Sequence, residues 1–418
     1  MKDRRLTRRS LLKAGAALAL PAIIPARALG QEDKVAASER ITLGFIGVGG
    51  MGGAHLGGFL RNPRVDVIAV CDVYEPHLRN ARERVGERCL AYKDFRHLLL
   101  RRDIDAVVIS TPDHWHTLIC IRAAEAGKDI YCEKPLTYSI GEGKPLIEAV
   151  RRYGRVFQVG SQQRSDRNFR FACELVRNGK IGKLHTVRTG FGRGPEGGDP
   201  AITAPPDGLD WDFYVGPAPM TPFQKGRFGF DFRWFTEYSG GILTDWGAHH
   251  NDIAQWGTGY DGSGPVEVEG TGAFPATGAF DTVRDYNVTF TYPNGVKLIC
   301  SNQHNGVLFQ GTQGEVAVNR GFLDASPKDL LEWRPGPGDI RLYESPGHHN
   351  DWLDCIRTRR RPICDVEIGV SSVNICHLAN IAIRLGRKLR YDPVQMRILD
   401  TPEAESLLFR PYRAPWSL

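Results

Sequence analysis

No stretch of this 418-residue chain reaches the roughly 18 consecutive apolar residues of a membrane span. The nine cysteines are odd in number and scattered. They form no C-x-x-C and no zinc-ligand spacing, which argues against a disulfide framework or a structural metal knuckle. Fixed-period repeats and low-complexity tracts are also missing, which excludes solenoids and a disordered chain. Basic excess is missing from most of the sequence as well. The formal charge is +6, but residues 1–28 alone hold seven Lys/Arg (Lys2, Arg4, Arg5, Arg8, Arg9, Lys13, Arg27) against Asp3. The remainder is therefore near neutral and gives no argument for a nucleic-acid partner.

That N-terminus has an order of its own. A basic stretch containing "TRRSLLK" precedes an apolar run from Ala14 to Ala26, and Ala26-Arg27-Ala28 reads as an A-x-A cleavage site. Arg8 and Arg9 make it resemble a twin-arginine export signal. The expectation is passage through the twin-arginine translocase to a periplasmic or extracellular location. That route carries folded proteins and suits a cofactor loaded before export. Cys71 and Cys132 lie in apolar, strand-like runs, as expected of buried thiols formed in a reducing compartment.

With 41% hydrophobic and 24% charged residues, the chain can build a sizeable core, and its length predicts two domains. The expected boundaries are a signal peptide over 1–28, a linker over 29–39, a Rossmann domain over 40–160 and a substrate domain over 161–418. The first domain is read from alternation. Ile41–Ile46 is a continuous apolar run, as in a strand buried on both faces. Gly47-Val48-Gly49-Gly50-Met51-Gly52 follows, then a helical stretch, then "VDVIAVCD" ending in Asp72, 20 residues beyond Gly52. A G-x-G-x-x-G between strand and helix, with an acid at that distance, is a dinucleotide fingerprint. Gly47 permits the turn, Gly49 the approach of a pyrophosphate, and Gly52 close helix packing. Asp72 favours NAD over NADP, because its carboxylate accepts from a ribose hydroxyl and repels a 2′-phosphate. "DIDAVVISTP", "DIYCEKP" and "RVFQVGSQQR" continue the strand series, so a doubly wound parallel sheet is expected. Ligands bind at the carboxyl ends of such strands. The expected cofactor contacts are therefore Gly47, Gly49, Gly50, Met51, Gly52, Asp72, Thr111, Pro112, His116, Glu133 and Lys134.

Beyond about residue 160 the texture changes. "DYNVTFTY", "GVKLICSNQ" and "EVAVNR" alternate and are joined by turns such as "YPNGV", which predicts an α+β domain on a mainly antiparallel sheet. Helical spacing puts Asp245, His249, Asp252 and Trp256 on one face. His249, with an ordinary pKa of about 6.5, suits reversible proton transfer, and Asp245 would orient it or bind a hydroxyl. Lys134, at a strand's carboxyl end, would hydrogen-bond the reacting oxygen or serve as the base; the sequence leaves both roles open. Trp115, Arg164, Trp234 and Tyr238 are candidates for a sugar site, since aromatics and forked donors suit polyols. The tetrapeptide "HHND" occurs twice, at His249–Asp252 and His348–Asp351. The first copy is explained by helix spacing and the second reads as a helix start, so no metal is expected and the repeat is coincidental.

The glycine turn, "STPDHWH", "CEKP" and "GGILTDWGAHHNDIAQW" together resemble the glucose–fructose oxidoreductase / inositol dehydrogenase / MocA family over essentially the whole mature chain. The resemblance implies a Rossmann domain followed by a sheet domain that covers the nicotinamide and a sugar. It maps catalytic roles onto Lys134, Asp245 and His249, and a loop histidine onto His116. It also implies that two chains pair through the exposed sheet face, giving a homo-oligomer. The function expected is hydride transfer between a secondary alcohol of a sugar, polyol or glycoside and a tightly held NAD. One alternative is an NAD-requiring glycoside hydrolase or epimerase acting by transient oxidation; the relatives of that kind lack the EKP lysine, which this chain keeps. The other is a non-catalytic sugar-binding protein with a vestigial Rossmann domain.

Overall fold

A computed structural model describes residues 36, 39–399 and 401–418. The export segment 1–28 and most of the linker lie outside the described residues.

The first half alternates strand and helix: β1 (Ile41–Ile46), α1 (Gly50–Leu60), β2 (Val65–Cys71), α2 (Glu75–Val85), β3 (Leu90–Tyr92), α3 (Phe95–Leu99), β4 (Ala106–Ile109), α4 (Asp113–Glu125), β5 (Asp129–Cys132), α5 (Gly143–Arg152) and β6 (Phe157–Val159). Every residue of β4 and β5 is buried, because helices cover both faces of a parallel sheet. The strand order is β3-β2-β1-β4-β5-β6, all parallel. The order reverses between β1 and β4, and that crevice is where a doubly wound sheet takes its ligand.

Helix α6 (Arg167–Arg177) leads into the second half, its first turn capped by the Asp166 carboxylate. Next come β7 (Leu184–Phe191), α7 (Trp211–Val215), α8 (Ile242–Asp245) and α9 (Gly247–Thr258). The strands β8 (Glu267–Ala273), β9 (Asp285–Thr291), β10 (Lys297–Ser301), β11 (Asn305–Gly311), β12 (Glu315–Asn319) and β13 (Phe322–Ser326) then form two three-stranded meanders, one on each side of β7. Helices α10 (His348–Thr358) and α11 (Val366–Leu385) precede β14 (Leu389–Asp392), β15 (Arg397–Leu399) and α12 (Pro402–Ser406). The nine strands order as β13-β12-β11-β7-β10-β9-β8-β14-β15. All neighbours are antiparallel except β7 and β10, so the sheet is mixed. Helix α11 is long and apolar enough to cross a membrane, but most of it is buried inside the protein.

Two details differ from the sequence reading. The expected single helix carrying Asp245 and His249 is two helices, broken at Trp246. And α10, although far along the chain, packs on the Rossmann sheet: Trp352, Leu353 and Ile356 share a core with Leu43, Phe45 and Phe59.

Candidate active site

The glycine turn is tight for steric reasons. Gly47 has φ +80°, and a Cβ there would stand 2.8 Å from the Ser110 carbonyl. A Cβ on Gly52 would stand 2.0 Å from the Gly47 oxygen, so α1 can sit on the turn only without one. At Gly50 an added Cβ would meet nothing within 4 Å, because that residue faces open space. No side chain caps α1, so its first N–H groups are free for an anionic ligand. These are the features a dinucleotide pyrophosphate requires, and the residues present fit it.

Asp72 stands just beyond β2. Its Oδ2 accepts from Val48 N (2.9 Å) and its Oδ1 from Tyr74 N (2.9 Å). The carboxylate thereby fixes the glycine turn while its remaining lone pairs border the cleft. That cleft encloses a cavity of ≈ 300 Å³. Gly47, Gly49, Gly50, Met51, Asp72, Thr111, Pro112, Glu133 and Lys134 all lie in its wall. The loop from Phe228 to Arg233, from the second half of the chain, closes the opposite side. Phe228 packs edge-on against Tyr74 with ring centroids 5.1 Å apart.

Lys134, in the cleft wall, pairs with Asp245, which like His249 is not among the residues lining the cavity. Lys134 Nζ donates to Asp245 Oδ1 at 2.6 Å and to its carbonyl at 3.1 Å. Arg233 Nε reaches the same Oδ1 at 3.2 Å. Burial would raise the Asp245 pKa, but Lys134 and Arg233 outweigh it and hold the carboxyl below its usual range. Asp245 therefore orients Lys134, and it makes no hydrogen bond to His249. His249 is buried with Nδ1 unpartnered. Burial first, then Lys134 and Arg320, push its pKa well below the ordinary histidine value. The expectation of a histidine titrating near neutrality is thus corrected. A neutral imidazole whose protonated form is disfavoured suits a hydrogen bond to a substrate hydroxyl better than storage of a proton.

Several other candidates have structural roles. Arg164 is 1% exposed, and its guanidinium is occupied by Asp252 (2.8 and 2.8 Å) and Asp261 (2.9 and 2.7 Å). Four of its five N–H donors are so engaged, and it does not line the cleft. Asp252 points at Arg164 and away from the cleft, so it does not join Asp245 and His249. Tyr238 is fully buried, its hydroxyl 2.9 Å from Thr221 Oγ1, and Trp234 is buried outside the cleft wall. Trp115 does border the cleft, but it stacks on Phe213 (5.5 Å) and donates to the Tyr214 carbonyl, as a packed part of the wall. His116 is absent from the wall. Its ring nitrogens lie 2.8 Å from the carbonyls of Pro135 and of Thr111, so it braces the Lys134–Pro135 turn from behind.

The second "HHND" opens α10 as read. Asp351 does not cap it; that carboxylate accepts from Tyr343 Oη and Ile363 N. The two copies have separate hydrogen-bond partners, although His348 is near enough to help lower the His249 pKa. All nine cysteines are buried and unpaired.

Sequence reasoning passed over two groups. Arg233 lies in an aromatic stretch, "FDFRWF", that carries no spacing signal. Asp113, at the start of α4, lines the cleft with its carboxyl pushed up to about 6 by burial, and accepts from Ser239 Oγ at 2.5 Å.

Comparison with known proteins bears on this arrangement. A profile described as "Oxidoreductase family, NAD-binding Rossmann fold" matches residues 41–161. A second, "Oxidoreductase family, C-terminal alpha/beta domain", matches residues 198–418, more than half of the chain. The chain belongs to the glucose–fructose oxidoreductase / inositol dehydrogenase / MocA family. It is therefore an NAD-binding-type oxidoreductase of a family that includes sugar dehydrogenases. Among relatives, the uncharacterized oxidoreductase YrbE of Bacillus subtilis is 28% identical over 74% of this chain and 80% of its own length. A myo-inositol 2-dehydrogenase of Thermotoga maritima is 34% identical, but over only 35% of this chain and 43% of its own. A glycosyl hydrolase family 109 protein of Shewanella is 30% identical over 35% of this chain and 34% of its own. The chain thus spans less than half the length of these last two. In fold, the WlbA dehydrogenase of Bordetella pertussis, solved with NADH and UDP-GlcNAcA, superposes with a TM-score of 0.64 at 18% identity, over 84% of this chain and 98% of that one. The aldose–aldose oxidoreductase of Caulobacter crescentus gives 0.63 at 21%, over 84% and 99%.

Proposed function

We propose that this protein is an exported, NAD-dependent oxidoreductase that moves a hydride between a secondary alcohol of a sugar, polyol or glycoside and a retained cofactor. The observation that carries the reading is the Lys134–Asp245 pair, 2.6 Å apart, whose lysine lines the glycine-turn cleft. When bound, the nicotinamide accepts or returns the hydride. The chain's own residues do the rest. Lys134 exchanges a proton with the reacting oxygen and stabilises its developing charge. Asp245, itself held by Arg233, keeps Lys134 in place. His249 Nδ1 offers an unpaired acceptor or donor to a neighbouring hydroxyl.

NAD rather than NADP is proposed because the Asp72 carboxylate borders the cleft, and because the nearby Lys93 is paired with Glu75 (3.1 Å). Export by the twin-arginine translocase, to a periplasmic or extracellular site, is proposed from Arg8, Arg9 and the Ala26-Arg27-Ala28 cleavage site. Outside the cytoplasm free NAD is scarce, so a retained cofactor recycled by a second sugar or carbonyl follows. Pairing of two chains through the open sheet face belongs to the same proposal.

The hydrolase reading has one observation in its favour, the family 109 relatives. It would leave NAD unchanged after each turnover. Product analysis with free sugars and aryl glycosides tests the choice. A ketosugar or lactone with equivalent cofactor reduction supports the oxidoreductase, whereas a released aglycone with no net reduction refutes it.

A further inference from the structure

Oxidising an alcohol converts R₂CH–OH and NAD⁺ to R₂C=O, NADH and a proton, and that proton must leave a cleft closed on one side by Phe228–Arg233. Beside Lys134 the wall carries Glu133, which is buried. Glu133 Oε1 lies 2.8 Å from His55 Nε2 on α1. His55 Nδ1 lies 2.9 Å from His349 Nε2 on α10. His349 in turn lines an open surface hollow with Gly58, Asn62, Arg64 and Asn350. A Cβ on Gly58 would lie 3.6 Å from His349 Nδ1. The chain of three side chains thus runs from the cofactor cleft to the surface through the layer between the Rossmann sheet and its helices.

We propose that Glu133, His55 and His349 form a proton relay between the cleft and solvent. The proposal rests on the oxidoreductase reading above. With Glu133 ionised, His55 Nε2–H donates to its carboxylate and His349 Nε2–H donates to His55 Nδ1. Reduction of a carbonyl draws a proton inward: His55 gives its Nε2 proton to Glu133, which supplies the reacting oxygen by way of Lys134 in the same wall, His349 gives its Nε2 proton to His55 Nδ1, and His349 takes a proton from water at Nδ1. Each imidazole ends in its other tautomer, uncharged. Oxidation of an alcohol runs the same path outward and restores both tautomers. A retained cofactor that alternates oxidation and reduction therefore resets the relay at every cycle.

The surroundings favour transit over storage. Burial would raise the Glu133 pKa, but the His55 hydrogen bond and the nearby Lys134 and His116 outweigh it and hold the carboxyl below its usual range. Burial lowers His349 to about 4, and His55 and His348 add to the shift while Glu133 opposes it. Neither end of the chain, Glu133 or His349, is a resting place for the proton near neutrality, while the packing fixes the geometry. Phe59 stacks on His349 (4.3 Å), and Tyr131 packs edge-on against both histidines (5.1 and 5.5 Å). Gln162 Nε2 holds Glu133 Oε1 at 3.1 Å, and among the described residues Oε2 has no hydrogen-bond partner.

The test compares holoenzyme with His349→Phe, which keeps the stacking and removes the nitrogens, and with His349→Gln as a second variant. Proton release in a single turnover is followed with an indicator dye. The relay predicts release slowed by roughly 100-fold, the lower end of what a positioned proton-transfer group contributes. NAD affinity and melting temperature should be unchanged, the solvent isotope effect larger, and imidazole added to the buffer should restore the rate. Unchanged release, or slow release that imidazole does not rescue, overturns it. A second readout needs no substrate. Nitrogen NMR of the labelled wild type should show His55 exchanging between two tautomers, an exchange lost in His349→Phe. A single fixed tautomer overturns the relay. A protein that oxidises no sugar would instead refute the oxidoreductase reading and leave this measurement standing.

Discussion

Asp245 keeps its charge in a buried site because Lys134 and Arg233 both face it. A carboxyl held low in the folded state stabilises above its unfolded pKa and loses that contribution only as pH falls through the folded value. The acid limb of activity therefore should not come from Asp245 within the usual carboxylate range. Asp245→Asn removes the charge at every pH. It should lower kcat by roughly 100-fold with NAD affinity intact, measured by steady-state kinetics and a binding titration. Arg164 makes the opposite prediction. It looks like a sugar ligand in sequence, because a forked donor reads the same whether it meets hydroxyls or carboxylates. In the fold it neutralises Asp252, which is itself fully buried. Arg164→Met leaves that carboxylate without its charge partner and should cost ~3–5 kcal/mol of stability, read from urea denaturation, as breaking a buried pair does. The pairing of Lys134 with Asp245 was not readable from spacing, since 111 residues separate them.

At the level of elements, the most legible parts are those written locally. The strand β1, the glycine turn and α1 occupy 20 consecutive residues, and each steric demand falls on a neighbour in the chain. Gly52→Ala would push a methyl into the Gly47 carbonyl. It should abolish NAD binding in a calorimetric titration by displacing α1, with the second half's strands still folded by circular dichroism. The less legible elements depend on distant partners. The parallel β7–β10 pair, the break at Trp246, and the return of α10 to the Rossmann sheet are set by what each segment packs against. No periodicity announces them. The relay from Glu133 to His349 was illegible for the same reason, because it joins β5, α1 and α10 across 294 residues between its two histidines.

Across the whole molecule, burial of neutral histidines couples folding to pH. Desolvation is the largest cause at His114, His250 and His348, each lowered to about 4, and at His377, lowered to about 3. A histidine whose folded pKa is depressed contributes fully above its unfolded pKa of about 6.5, and that contribution is lost as pH falls toward the folded value. Unfolding free energy should therefore decline between about pH 6.5 and pH 4, at up to about 1.4 kcal/mol per pH unit for each such histidine. Denaturant titrations across that range check it; a flat profile would mean these rings are not buried neutral. The same molecule is held here to be a hydride-transfer catalyst, and one tracer experiment addresses that directly. A sugar deuterated at its carbinol carbons is incubated with the purified protein and NAD, and the nicotinamide is recovered and analysed by mass spectrometry. The account predicts deuterium on the reduced nicotinamide, with the sugar recovered as its oxidised product, and neither in Lys134→Ala. Label retained wholly in the sugar, or transfer undiminished in Lys134→Ala, would contradict it.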